Sequence, residues 1–332
     1  YGVLVQSTDG GYTWKSYDVC NNAPADKTPV TKIADGSLFF DSVTGRIMYQ
    51  TYNVITKYNA SNMDESHCET SIVASDDGGK TWTEPKAPFG TLKIDGGEGR
   101  ARGFQLTSLG GNQVFGVMSL VEEIGEDLPY FNEKTEAIKN TQLYTFFSED
   151  GGETFSEPQR IEMKGKYRGL SCVLTSPPLL LKDGRVMVNF EVYKTYYDEG
   201  PCSHHAACIF SSDGGKTWSA PISTGILGQA SSVCAIGGEK LLALHAVRRD
   251  TDRPGVYAYV VDFSEKTWNI VEEKLIWEPA VPMIKDTKMA EIFSFLKFGQ
   301  PMAIKLQDGS ILVSFWYAQE GQYKTVCMPV EL

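Results

Sequence analysis

The chain has 332 residues, 42% of them hydrophobic and 22% charged, with a formal net charge of −11. An acidic chain repels phosphate backbones, so duplex nucleic acid is not an expected partner. With 32 Gly and 15 Pro it favours a turn-rich β protein over a helix bundle, and no apolar run reaches the length of a membrane-spanning helix.

In chain order, the sequence opens on Tyr1-Gly2-Val3 with neither Met nor an apolar leader, as expected of a processed or partial chain, and leaves localisation open. The short β-rich run Val3-Leu4-Val5 leads into Ser7-Thr8-Asp9-Gly10-Gly11-Tyr12-Thr13-Trp14. The turn Asp41-Ser42-Val43-Thr44-Gly45 joins two further apolar runs, and a second octet follows at Ser75-Asp76-Asp77-Gly78-Gly79-Lys80-Thr81-Trp82. Gly96 to Gly103 is glycine-rich and carries Glu98, Arg100 and Arg102, so a loop reaching over a site is expected there. An acidic insertion, at about 121–140, breaks the strand pattern and predicts a short helix over Asn132 to Ile138. The third octet is Ser148-Glu149-Asp150-Gly151-Gly152-Glu153-Thr154-Phe155. Leu181-Lys182-Asp183-Gly184 is a hairpin turn, and the fourth octet is Ser211-Ser212-Asp213-Gly214-Gly215-Lys216-Thr217-Trp218. Asp262 to Trp268 is a decayed copy, and Leu306-Gln307-Asp308-Gly309 closes the last hairpin.

The octets recur at Asp-to-Asp steps of 68, 73 and 63 residues. Their chemistry is that of a turn: Asp accepts from backbone amides further along, and Gly-Gly supplies positive φ. Because the same turn occurs in every repeat, its aspartates are structural rather than one active site. Each repeat supplies about four strands, which is the pattern of a propeller blade. One domain over residues 1–332 is expected, because radial closure hides strand edges.

The seven cysteines contain no CxxC pair and no zinc spacing, so buried reduced thiols are expected, with a Cys202–Cys208 disulfide as the alternative. His204 and His205 are adjacent, hence on opposite strand faces and poor co-ligands. No metal or cofactor is expected. The one sequon, Asn59-Ala60-Ser61, is weak evidence of secretion.

The repeated Ser-x-Asp-x-Gly-x-Thr-Trp octets, with Asp-Gly hairpins between them, resemble the Asp-box repeats of the sialidase (neuraminidase) superfamily. The resemblance covers nearly the whole chain. It implies an all-β, six-bladed propeller, its first or last blade incomplete or closed by the two termini, with a five-bladed ring as the alternative, and an active site at the mouth of the central channel acting on an oligosaccharide or glycoconjugate. It also implies that the family's Arg-Ile-Pro motif and acid/base Asp belong to strands upstream of the first octet, ahead of Tyr1.

Counting back eight residues from each Asp-Gly turn gives Gly36, Gly103, Thr175, Ala230 and Gln300 as positions facing the mouth. Counting seven forward gives Tyr52, Ser119, Glu191, Ala246 and Trp316. The resemblance puts a nucleophilic Tyr at Gln300 and its activating Glu at Ala230, residues that cannot do that work. It also implies three arginines clamping a carboxylate. Arg248 lies two residues past one of them, and no arginine follows Arg253.

The acids at the mouth are then Glu191 and Glu98, as general acid or base, with Arg102, Arg168, Arg248, Gln300, Trp316 and Tyr193 contacting substrate. The expected function is a sialidase-like exo-glycoside hydrolase acting on a sugar, acidic sugars included. A non-catalytic carbohydrate-binding propeller or a sugar lyase on the same fold is the alternative.

Overall fold

The computed structural model describes residues 2–19, 30–56, 66–126, 128–201, 205–227, 229–249, 251–264, 266–280 and 297–331. Their contacts divide the chain into two compact units. The first comprises Tyr1–Glu162, Gly169–Leu174 and Thr195–Glu199; the second comprises Met163–Arg168, Thr175–Lys194 and Gly200–Leu332. Nearly all regular structure is β, with five sheets of three or more strands, and the one helical element among the described residues is the 3₁₀ turn Gly165–Tyr167. No helix among them is long and apolar enough to cross a membrane.

In the first unit, Gly2–Gln6 pairs with Lys15–Val19 as a two-stranded hairpin. The next sheet runs Val30–Phe40, Ile47–Thr56, Ser66–Ser75 in antiparallel order. The sheet after it runs Thr91–Ile94, Gly97–Gly110, Gln113–Ile124, Thr141–Ser148, Gln159–Arg160. The second unit holds Leu179–Leu180, Val186–Tyr193, His205–Ser211 and Ile222–Ser223. It also holds the four strands Gln229–Gly237, Lys240–Val247, Gly255–Asp262 and Asn269–Trp277. Its last sheet is Phe298–Lys305, Ile311–Gln319, Gln322–Val330. Strands adjacent in sequence are adjacent in space, the meander expected of a propeller blade.

The four octets form one repeated turn. In each, the Ser hydroxyl donates to the Asp carboxylate (2.8, 2.8, 2.7 and 2.7 Å for Ser7, Ser75, Ser148 and Ser211). The Thr hydroxyl donates to the other carboxylate oxygen at 2.6, 2.7, 2.5 and 2.6 Å. The Gly-Gly pair has positive φ throughout, for example 76° and 87° at Gly78 and Gly79, where a Cβ would be strained. The second glycine also lets neighbouring sheets meet. A Cβ on Gly79 would lie 2.6 Å from the Leu4 side chain, and one on Gly152 would lie 2.6 Å from Met48 Cε.

The apolar alternation of the strands fills the space between sheets. Phe104 and Phe146, both fully buried, pack edge-on at 5.5 Å, with Phe89 at 4.6 Å from Phe146. In the second unit, Leu242, Leu244 and Ala246 face Val313 and Phe315, while Leu241 and Ala243 face Met187 and Cys208. One strand thus feeds two cores through its two faces.

Two local expectations are corrected. The stretch expected as a helix over Asn132 to Ile138 is a tight hairpin, Phe131–Asn132 against Ala137–Ile138, with Glu136 at φ 59°. The Asn132 side chain accepts the backbone N–H groups of Lys134 and Thr135, which favours a turn over a helix. The glycine-rich stretch from Gly96 to Gly103 is no free loop, because Gly97–Gly110 pairs with Thr91–Ile94 and Gln113–Ile124. Gly97 and Gly99 allow that close approach: a Cβ would lie 2.2 Å from the Glu123 carbonyl oxygen or 2.4 Å from Leu120.

The thiols of Cys172, Cys208, Cys234 and Cys327 are free. Burial pushes those of Cys172 and Cys208 up to about 12, so they behave as small hydrophobes. Cys208 therefore takes no part in the alternative disulfide; Cys202, His204 and the sequon lie outside the described residues.

Candidate active site

Four inner strands carry a register break near the same end: between Ile33 and Gly36, Ala101 and Phe104, Gln229 and Ser231, and Gly299 and Met302. The counted-back positions Gly36, Gly103, Ala230 and Gln300 fall in or at the edge of these breaks. A bulge re-aims a side chain and ends regular pairing, which is why bulges gather beside binding sites. At Gln300 the distortion is strongest, with a non-glycine residue at φ 45°. Such a conformation persists only where the surroundings hold it.

The second unit gathers five of the predicted residues around this bulge. Glu191 and Tyr193 lie two apart near the end of Val186–Tyr193, hence on one strand face. Glu191 is buried and Tyr193 half-buried, and the phenol donates to Glu191 Oε2 at 2.6 Å. Arg248 follows the end of Lys240–Val247 and is 6% exposed. Its guanidinium carbon lies 5.0 Å from the Phe298 ring centre, a cation–π arrangement. Burial lowers the guanidinium to about 10, opposed by the attraction of Glu191 and then of Tyr193. Gly299 makes room for it, since a Cβ there would stand 2.3 Å from Arg248 Nη2 and 3.7 Å from Trp316 Cζ2. Trp316 pairs across the strands with Gly299, and its indole N–H donates to Gln300 Oε1. Tyr323 flanks Trp316 at 5.7 Å. The cluster thus joins a phenol–carboxylate pair, a covered guanidinium and an aromatic–amide lip.

The other predicted residues are placed differently. Arg168 stands exposed after the 3₁₀ turn of the second unit. Glu98 and Arg102 belong to the first unit. Glu98 is tied to Lys93 at 2.6 Å and to Arg100 at 3.7 Å. The Lys93 contact leads in lowering its carboxyl pKa, so it is held as a carboxylate rather than an acid. The Arg102 guanidinium lies 3.9 Å over the Tyr130 ring and donates to its hydroxyl. His245 is fully buried, and burial lowers its imidazole to about 3, the structural role expected of a histidine among apolar neighbours. Among the described residues no group of His, Cys, Asp or Glu is arranged to hold a metal.

Sequence reasoning missed Phe298 and Gly299, whose part is to shape Arg248, and a buried cluster in the first unit. There Glu122 accepts from Tyr144 at 2.8 Å and Asn140 at 2.7 Å and pairs with Arg160 at 3.1 Å. Both carboxylate oxygens have partners, as a structural network requires.

The comparisons agree with this architecture. Residues 209–220 match the family described as BNR/Asp-box repeat. The chain carries the Asp-box repeat on a sialidase-type β fold. A sialidase of Bacteroides fragilis (strain YCH46) is 27% identical over 171 residues, which is 49% of this chain and 30% of that protein. The Hadza microbial sialidase Hz136 superposes with a TM-score of 0.56 at 17% identity, over 85% of this chain and 52% of that one. The NanB sialidase of Streptococcus pneumoniae does so with 0.58 at 13% identity, over 92% and 60%. The endo-arabinase of Bacteroides thetaiotaomicron VPI-5482 gives 0.53 at 12%, over 90% and 94%. The chain therefore spans under a third of its curated relative and under two thirds of the two sialidase structures.

Proposed function

We propose that this chain is a sialidase-like glycoside hydrolase that removes terminal sugars from a glycan, at the site built by Glu191, Tyr193, Arg248, Gln300 and Trp316. The observation that carries the reading is the 2.6 Å hydrogen bond from the Tyr193 phenol to Glu191. A phenol becomes a nucleophile when a neighbouring carboxylate takes its proton, and tyrosine replaces the usual carboxylate nucleophile in sialidases. In this reading Tyr193 Oη bonds to the anomeric carbon as its proton passes to Glu191. The glycosidic C–O bond breaks and its oxygen takes a proton from solvent. Water then bonds to the anomeric carbon as the Tyr193 C–O bond breaks; the water releases one proton to solvent, and Glu191 returns its proton to the phenolate. Arg248 positions Glu191 through the attraction between their charges, while Gln300 and Trp316 hold the sugar. Glu98, Arg102 and Arg168 are not assigned roles in this step.

The proposal takes residues 1–332 as one six-bladed domain. In support, the hairpin Gly2–Gln6 with Lys15–Val19 carries the same octet as the outer strands of the larger sheets and packs Leu4 against Gly79 as Met48 packs against Gly152.

A non-catalytic glycan-binding protein is the second reading, favoured by the Trp316–Gln300 lip, which needs no chemistry to grip a sugar. Turnover on aryl glycosides and natural oligosaccharides, sialosides included, read by mass spectrometry, separates the two. For an enzyme, Glu191→Gln and Tyr193→Phe each lower turnover by about 100-fold or more while binding persists. Binding without turnover by the unaltered protein would leave the second reading.

A further inference from the structure

The charged and uncharged groups of this cluster are not equally available to a ligand. The guanidinium of Arg248 is covered: it is 6% exposed, lies over Phe298, abuts Gly299 and is attracted to Glu191. A guanidinium so engaged gives a ligand carboxylate no open fork of donors. Outward stand Gln300, which is exposed, and Trp316 and Tyr193, which are half-buried. Because an indole N–H can only donate, the Trp316 contact fixes the Gln300 amide with its oxygen toward the indole and its NH₂ donors left for a ligand. The strain at Gln300, φ 45°, presents that amide at the lip. Of the cations on this sheet, Lys305 donates to the Ile236 carbonyl, Lys297 stands exposed ahead of Phe298, and Lys324 lies 5.9 Å over the Tyr317 ring. Tyr317 follows Trp316 directly, so Lys324 sits on the opposite face. In the first unit Arg102 is likewise engaged, by Tyr130. Arg168 is the exposed arginine of the predicted set.

From this we infer that the glycosyl unit held here is uncharged: a neutral hexose or pentose stacked on Trp316 and hydrogen-bonded by the Gln300 amide, rather than a sialic or uronic acid. The inference rests on the glycan-site reading and narrows its substrate class. Aromatic faces attract the C–H faces of sugar rings, and an amide pairs with hydroxyls. Neither offsets the desolvation of a carboxylate as a free arginine does.

The test is calorimetric titration of the full chain with methyl glycosides of neutral hexoses and pentoses, against those of N-acetylneuraminic acid and hexuronic acids. A neutral glycoside is expected to bind at least about tenfold tighter than its acidic counterpart, with an affinity unchanged between about 0.05 and about 0.5 M salt. Trp316→Ala is expected to weaken it about tenfold. Gln300→Gly is the second variant, because it removes the amide while relieving the strained backbone; it should bind about tenfold more weakly yet melt no lower than the parent. Tighter binding of an acidic glycoside, screened by salt and lost in Lys297→Ala or Arg168→Ala, would overturn the inference and leave the glycan site standing. Absence of binding by either class would overturn both.

Discussion

Replacing Gly299 by Ala tests how the site is held. The new Cβ would stand 2.3 Å from Arg248 Nη2, where an unstrained contact needs about 1 Å more. The backbone at Gly299 is not in the left-handed region, so alanine meets no conformational penalty there and the effect is one of space. The guanidinium is buried, with Phe298 on one side, so it can move only by sliding off that ring or by shifting against Glu191. Overpacking of this kind costs about 1–3 kcal/mol. Complete loss of the attraction between Arg248 and Glu191 would cost more, and this figure applies because a slide of about 1 Å weakens that attraction without removing it. The same displacement carries into Glu191 and Tyr193, where a misplacement of about 1 Å costs about 100-fold in rate. Gly299→Ala is therefore expected to unfold at lower urea by about 1–3 kcal/mol and to lose about 100-fold in turnover on whichever glycoside the parent cleaves. Unfolding and turnover both equal to the parent's would refute the wedge. Lowered stability with unchanged turnover would detach Arg248 from the chemistry.

Gly116→Ala is the contrasting case: its Cβ would meet the Phe146 ring at 2.2 Å, so urea unfolding should report a loss of about 1–3 kcal/mol with glycan turnover per folded molecule unchanged. His245 is held neutral by burial, its pKa lowered from 6.5 to about 3. The folded value lies below the unfolded one, so its contribution is complete above pH 6.5 and is lost as pH falls toward about 3, at up to about 1.4 kcal/mol per pH unit. His245→Phe should flatten that slope in unfolding measured across the window, and an unaltered slope would mean the histidine charges without unfolding. At Asp150 the carboxyl is lowered to about 2, first by the Thr154 hydroxyl and then by its backbone N–H. Stability from this turn is thus present above pH 3.8 and lost as pH falls toward 2. Asp150→Asn should lower the melting temperature less than Gly116→Ala does and remove part of the acid sensitivity; a larger loss would show that the turn bears on the core.

What could be read from the sequence is local. The octet closes on itself within eight residues, from Ser7 to Trp14, and its hydrogen bonds span at most four positions. Four copies therefore announced four identical turns, and the alternating apolar runs between them announced the sheets. Counting back from the hairpin turns fell in or beside a register break in four of five cases, Thr175 being the exception, because strand rise is fixed. Where local rules compete the reading failed. Asn132 to Ile138 has helix formers in Glu133, Lys134 and Ala137, yet Asn132 captures two backbone amides and the chain turns.

The sequence by itself determined that this chain is a repeated, all-β array with a shared turn, since the turn and the alternating runs are each set within a few residues. Tertiary structure alone decided which of the charged residues are free to act. Glu98 and Glu191 read alike as acids, yet Lys93 holds the first as an ionised surface partner while Tyr193 and Arg248 enclose the second. The accessibility of a charge depends on what other strands lay over it. Phe298 and Gly299, about 50 residues along from Arg248, settle that by packing, which no local pattern encodes.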